Sequence, residues 1–335
     1  MLKHGGDLRR AARIFGDPPG GWLDLSTGIN PHPWPVPAQP LACWSRLSEP
    51  EEGLIEAAHT YYKSSHVLPV AGSQAAIQAL PALRRRCHVG ILAPAYAEHA
   101  RAWRRGGHRV SLLDHLDIDH PNGPIDVLVV INPGNPAGLR VPRDVLLQWH
   151  ARLAGRGGWL IVDEAFMDPT PDESLAATAA MPGLIVLRSF GKFFGLAGAR
   201  VGFVIAEERL LRRLAERLGP WALAGPSAHV AMLALGDVVW QKRTRCELRA
   251  ASQRLARLLA LHDLPPRGGT GLFQWVQTGR AAMLHDELAH RGILTRRFLR
   301  PDSLRFGLPG TEADWLRLEQ ALAMSRVARP VCAVP

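Results

Sequence analysis

Lys192 stands in the run Arg188-Ser189-Phe190-Gly191-Lys192-Phe193-Phe194-Gly195-Leu196-Ala197-Gly198-Ala199-Arg200-Val201-Gly202-Phe203. The chain has four lysines beside thirty-six arginines, so a need for positive charge alone would have put arginine here. Lysine is required where an amine must lose its proton and attack a carbonyl, because a guanidinium stays protonated. Apolar, glycine-rich neighbours disfavour the ammonium form. Ser189 and Arg200 add a hydroxyl and a fixed positive charge, both suited to a phosphate. An amine beside a phosphate cradle points to pyridoxal phosphate; the plainer alternative is a surface lysine following a strand.

Other chemically useful residues also follow apolar runs. The segment Asn132-Pro133-Gly134-Asn135-Pro136-Ala137-Gly138 follows the run 125–131, and Asp163-Glu164-Ala165-Phe166 follows 159–162. Ser189 and Lys192 follow 184–187, so three strand ends would converge on one crevice. Gly72-Ser73 precedes a helical pattern, where free amides and a hydroxyl suit a phosphate. With pyridoxal phosphate as the ligand, Asp163 would keep the ring nitrogen protonated and Asn135 would donate to the phenolic oxygen. Tyr96, in Pro94-Ala95-Tyr96-Ala97-Glu98, would stack on the ring, and Ser73, Ser189 and Arg200 would hold the phosphate. Taken singly, Asp163 could cap a helix, Asn135 could serve a turn and Tyr96 could fill core.

The elements that must position these residues are legible in outline. Runs rich in Val, Ile and Leu at 89–93, 125–131, 159–163 and 184–187 predict buried parallel strands, with one further strand at 201–206. Amphipathic stretches at 73–86, 97–106 and 143–154 predict helices covering that sheet, with Pro81 placed to kink or end the first. Past Pro220 the pattern changes to arginine-rich helices over 227–261. A strand at 271–276, a helix at 281–291 and short strands at 293–295 and 303–306 follow. The expectation is an α/β chain of 335 residues in two lobes sharing a cleft. Residues 1–30 form an arm, 31–226 a large domain with a mostly parallel sheet, and 227–335 a smaller α+β domain.

The formal net charge of +10 raises the question of nucleic acid. The arginines, however, spread over helical stretches at 209–217 and 243–257, interleaved with Glu207, Glu208, Glu216 and Glu247, as on solvated helix faces. No nucleic-acid-binding motif accompanies them, so a nucleic-acid partner is not expected. Cys43, Cys87, Cys246 and Cys332 show no paired spacing, which argues against a disulfide framework or a zinc site, and no metal is expected. No apolar stretch approaches the ~20 residues that cross a bilayer, and the start Met1-Leu2-Lys3-His4-Gly5-Gly6-Asp7 lacks a signal-peptide core. A soluble cytoplasmic protein without a membrane partner is the expectation.

Taken together, the run 189–203, the Asn-Pro-x-Asn-Pro segment, Asp163-Glu164-Ala165 and Gly72-Ser73-Gln74 resemble the fold-type I aminotransferases, specifically the histidinol-phosphate aminotransferase branch. Within it, His4-Gly5-Gly6-Asp7, Ser26-Thr27-Gly28-Ile29-Asn30-Pro31 and Leu304-Arg305-Phe306-Gly307-Leu308-Pro309 are most similar to the threonine-phosphate decarboxylases of cobalamin biosynthesis. That resemblance implies conversion of O-phospho-L-threonine to aminopropanol phosphate and carbon dioxide. It implies a Schiff base on Lys192, Asp163 and Asn135 on the cofactor ring, and cofactor contacts from Gly72, Ser73, Gln74, Tyr96, Ser189 and Arg200. It also implies substrate contacts from His4, Gly5, Asn30, Asn135, Arg296 and Arg305, and a homodimer. Two arginine clusters suit a substrate with a carboxylate and a phosphate, although Arg297 and Arg300 compete with Arg296 for its place.

The chain departs from the aminotransferase branch at two places. Phe166 stands where those enzymes carry a tyrosine, and the stretch Leu47-Ser48-Glu49-Pro50-Glu51-Glu52 lacks the tyrosine that reaches a partner's cofactor phosphate. An aminotransferase acting on histidinol phosphate or an aromatic amino acid is the nearest alternative. A Ser-x-x-Lys acylase at Ser189 and Lys192 would need Lys-Thr-Gly and Ser-Asp-Asn motifs, and neither occurs. An arginine-rich binding module would have no use for Lys192, Asp163 and Asn135 together.

Overall fold

A computed structural model describes residues 4–47, 52–115 and 123–327. Cys332 and residues 48–51 of the tyrosine-lacking stretch lie outside them. Contacts divide the chain into two compact units: Pro33–Arg245, and the residues up to His32 together with those from Cys246 onward. The boundary expected at 226/227 falls inside the helix Gly225–Gly236, and the arm groups with the C-terminal residues.

Among its described residues the larger unit holds seven strands: β1 (Val67–Val70), β2 (His88–Leu92), β3 (Arg109–Leu113), β4 (Val127–Ile131), β5 (Trp159–Asp163), β6 (Leu184–Ser189) and β7 (Gly202–Ala206). Their order is β1-β7-β6-β5-β4-β2-β3, and β7 alone runs against the rest. One face packs Val89, Ile91, Val127, Val129, Ile161 and Ile185 against α2 (Ser73–Ala79), α3 (Ala97–Arg105) and α5 (Glu208–Leu218). The alternating residues Leu128, Val130, Leu160, Val162 and Val186 are equally buried. Burial on both faces is why these strands read as continuous apolar runs.

Elements that the sequence left unassigned sit at the rims. β1 contains Pro69, and β3 reads Arg-Val-Ser-Leu-Leu; both are edge strands, where a missing donor or a polar side chain is tolerated. α1 (Glu52–Tyr62) precedes β1, and α4 (Arg143–Ala154) matches its predicted bounds. The helix predicted over 73–86 ends at Ala79 and passes into a 3₁₀ turn, Leu80–Leu83, because Pro81 cannot donate to a preceding carbonyl. α6 (Gly225–Gly236) and the start of α7 (Val238–Leu261) complete this unit.

The ends of β5 and β6 are tied by buried charge. Arg188 Nη1 donates to Glu164 Oε2 at 2.6 Å and Nη2 to Asp168 Oδ1, with all three side chains at most 1% exposed. Glu164 also accepts from Ser174 Oγ at 2.5 Å and Leu175 N at 2.7 Å. Tyr61 Oη donates to Asp168 at 3.0 Å, and the Arg188 guanidinium lies 4.9 Å from the Tyr62 ring centre. Burial opposes the Arg188 charge, but Asp168 and Glu164 outweigh it and push its pKa above the ordinary value. Burial, with Asp168 next, raises both tyrosines, so they stay neutral.

The smaller unit carries an antiparallel sheet, β10-β11-β9-β8, from β8 (Gly268–Thr270), β9 (Phe273–Gln277), β10 (Arg296–Leu299) and β11 (Asp302–Gly307). Helices α8 (Ala281–His290) and α9 (Glu312–Val327) belong with it. The arm contains the helix Leu8–Phe15 and a short strand, Leu23–Asp24, parallel to Ile293–Leu294. The connection from Arg296 to Arg305 is a tight hairpin.

Replacing Arg188 by methionine would strand two buried carboxylates. Arg188→Met is expected to lower stability by about 3–5 kcal/mol, read from the urea unfolding midpoint.

Candidate active site

In the larger unit, β6 ends at Ser189 and leads into a one-turn helix, Phe190–Phe193, that carries Lys192. Ser189 pairs with Gly202 at the start of β7. A Cβ on Gly202 would lie 2.4 Å from the Ser73 amide, and one on Gly72 would lie 2.7 Å from Arg200 Nη2. Gly72 has φ +72°, open to glycine at little cost. Arg200 is itself left-handed, φ +54°, and donates to the Ala197 carbonyl at 3.1 Å. The amide of Ser73, Arg200 and the strand end at Ser189 therefore meet across two glycines. Such a concentration of donors, with room kept by missing side chains, fits a phosphate.

Asp163, 3% exposed, closes β5. Its Oδ2 is 2.8 Å from His99 Nε2, and its Oδ1 accepts from Ala165 N at 3.1 Å, so it shapes the local turn as well. His99 is 1% exposed in α3 and was not singled out from sequence. The available signal was its place one turn after Tyr96, in Tyr96-Ala97-Glu98-His99. The half-buried Tyr96 meets His99 edge-on, with ring centres 6.3 Å apart, and its hydroxyl donates to Gln74 Oε1 at 3.3 Å. Lys192 Nζ lies 5.8 Å from the centre of the Phe166 ring. Asn132 clamps the following loop by accepting from Val141 N at 3.0 Å and donating to Val141 O at 3.1 Å. That clamp fixes the loop that presents Asn135.

The smaller unit holds its own cationic site. Arg305, 6% exposed on β11, stands directly opposite Arg296 on β10. Directly opposed residues of an antiparallel pair share a face, so two like charges are held together at a cost. Burial, then Arg296, pushes the Arg305 pKa down to about 10, against a raising influence from Asp24, and the group stays charged at neutral pH. Arg305 Nη2 donates to Ser26 O at 2.8 Å. Arg296 lines a cavity of about 350 Å³ together with His4, Ser26, His285 and Arg297. Arg297 lies 3.5 Å from Asp302 and Arg300 is exposed, so among the three candidates Arg296 faces Arg305.

The arm is pinned at the same place. A Cβ on Gly5 would be 2.4 Å from Ser26 O, Gly6 N donates to Ser26 Oγ at 2.8 Å, and Ser26 Oγ donates to Asp24 Oδ1 at 2.5 Å. Asn30, 2% exposed, accepts from His32 N at 2.9 Å. Cys43, Cys87 and Cys246 are free thiols.

A mainly parallel sheet with a lysine, a buried aspartate and a phosphate-sized cradle at its strand ends defines a class. The family model described as aminotransferase class I and II matches residues 48–322, and the chain belongs to that family. Within it, the chain belongs to the threonine-phosphate decarboxylases. It is 58% identical to the threonine-phosphate decarboxylase of Pseudomonas aeruginosa, over 96% of this chain and 97% of that one. It is 43% identical to that of a Sinorhizobium species, over 96% and 98%. Among solved structures, the histidinol-phosphate aminotransferase of Sinorhizobium meliloti in complex with pyridoxal-5'-phosphate superposes with a TM-score of 0.84. It covers 98% of this chain and 96% of its own at 19% identity, a likeness of fold alone.

If the Arg296–Arg305 pair is held against its own repulsion, removing one charge should relax it. Arg296→Gln is expected to raise the thermal midpoint in phosphate-free buffer by about 1–3 °C. Inorganic phosphate is expected to raise the midpoint of the parent chain and not that of Arg296→Gln.

Proposed function

We propose that this chain decarboxylates O-phospho-L-threonine to (R)-1-aminopropan-2-yl phosphate and carbon dioxide in cobalamin biosynthesis, with pyridoxal 5'-phosphate as cofactor. The observation that carries the reading is the convergence of Lys192, the His99-bound Asp163 and the Gly72–Ser73–Arg200 cradle, in a chain 58% identical to a threonine-phosphate decarboxylase. When bound, the cofactor supplies an electron sink for the bond that breaks.

The protein's residues do the rest. Gly72, Ser73, Gln74, Ser189 and Arg200 hold the cofactor phosphate end. Asp163, kept dry and oriented by His99, holds a proton at the ring nitrogen. Tyr96 would cover a face of the ring, and Asn135 would donate to its phenolic oxygen. Lys192 would anchor the cofactor, and its Nζ, beside the Phe166 ring, would hold the proton that the reaction returns to the substrate. The bond from Cα to the carboxylate breaks, carbon dioxide leaves, and Cα takes up that proton. His4, Gly5, Asn30, Asn135, Arg296 and Arg305 are the proposed substrate contacts. Two arginine forks suit its carboxylate and phosphate.

We also propose a homodimer. Leu41, Trp44, Leu47 and Trp221 are each at least 60% exposed, and the short helix Ala42–Ser45 packs on the start of α6, where a Cβ on Gly225 would meet Cys43 O at 2.3 Å. A cluster of that kind favours a protein partner over solvent. Among the described residues no helix is long and apolar enough to cross a membrane, and a cytoplasmic site for a phosphorylated amino-acid substrate accords with that.

Purified protein supplied with cofactor and O-phospho-L-threonine, and no keto acid, is expected to release carbon dioxide and aminopropanol phosphate in equal amounts. Lys192→Ala should lose both the bound-cofactor absorbance and turnover. Amino transfer from histidinol phosphate to 2-oxoglutarate without carbon dioxide would instead establish an aminotransferase. Trp44→Glu should shift the sedimentation coefficient toward that of the monomer; an unchanged value would remove the dimer face.

A further inference from the structure

Glu98 is a buried carboxylate, 7% exposed, that none of these roles uses. It lies in the first turn of α3, between Tyr96 and His99. Its Oε2 accepts from Gln74 Nε2 at 3.4 Å and from Gln78 Nε2 at 3.3 Å, side chains four residues apart on α2. Arg101, its side chain 44% exposed, approaches Oε1 at 3.6 Å. A carboxylate only accepts, so it decides which way the Gln74 amide faces. With the Gln74 NH₂ turned to Glu98, its carbonyl is left for the Tyr96 hydroxyl, which donates to it at 3.3 Å. Without the carboxylate, a flipped amide would set NH₂ against the phenol and remove its acceptor.

We propose that Glu98 is a positioning residue: through Gln74 it fixes the Tyr96 ring over the cofactor, while its neighbour His99 fixes Asp163 from the same helical turn. The inference rests on the cofactor reading above. Two consecutive residues thus serve one bound ring, one by way of its face and one by way of its nitrogen partner. A carboxylate that merely filled space could be replaced by an isosteric amide without consequence. One that sets amide direction could not, because glutamine can turn its own NH₂ toward Gln74.

The test reads the pH midpoint of the bound-cofactor absorbance together with kcat and KM for O-phospho-L-threonine. Glu98→Ala is expected to lower that midpoint by about half a pH unit or more, since a nearby negative charge favours protonated forms. It should cut kcat about tenfold with KM held within about twofold. Glu98→Gln, which keeps the packing but removes the same charge, should lower the midpoint by a similar amount and cut kcat by less. In a Tyr96→Phe background, Glu98→Ala should change kcat less than about twofold, because the relay already ends short of its target. Arg101→Ala, on the exposed side, should leave the midpoint unchanged. An unmoved midpoint in both Glu98 variants, or effects of Glu98→Ala and Tyr96→Phe that simply multiply, would overturn the proposal while the parent enzyme still absorbs and decarboxylates. A parent protein that binds no cofactor would overturn it together with the functional reading.

Discussion

The site depends on a buried cation that holds two strand ends at a fixed spacing. Arg188 lies four residues before Lys192, and its partner Glu164 directly follows Asp163. Each charge is removed from water, so neither strand can slide without leaving an ion uncompensated. Asp163 and Lys192 inherit this rigidity because they stand next to the tied residues. The same cluster draws in Tyr61 from α1 and Arg245 from α7, whose Nε donates to the Asp168 carbonyl at 2.9 Å. Elements remote in sequence thereby share one anchor.

Above that anchor the chemistry is arranged by what is missing as much as by what is present. Gly72 and Gly202 let a strand start and a helix start come within a distance that any side chain would forbid. Arg200 occupies the space one of them leaves, held in a left-handed turn by its own bond to Ala197. In the smaller unit the logic is opposite: Arg296 and Arg305 are forced into proximity by strand register, and the repulsion is retained. The cradle offers neutral donors and one arginine, and the smaller unit offers a pair of arginines.

The parallel core was legible because burial on both faces leaves an unbroken apolar run, as in Val127–Ile131 and Trp159–Asp163. Lys192, Asp163 and Asn135 could be singled out because the apolar runs that precede them are strands, and ligands collect at strand ends. Residues that act from the side of a helix were not. His99 and Glu98 sit in a stretch with Arg101, Arg104 and Arg105, and its charge reads as a solvated face although both residues point inward. Edge strands also escaped notice: Pro69 interrupts one, arginine and serine interrupt another, and Arg296 and Arg297, with Arg300 just past the strand, make β10 read as a charged loop. The hairpin partner that reveals Arg296 lies in register, which composition cannot display.

Pro69 has a meaning beyond its effect on strand recognition. β1 forms one rim of the seven-stranded sheet, and among the described residues it pairs with β7 alone. At that rim, the next strand of another molecule would meet a backbone position with no hydrogen to offer. A strand that carries proline at the rim is a poorer template for a further strand than an unbroken one.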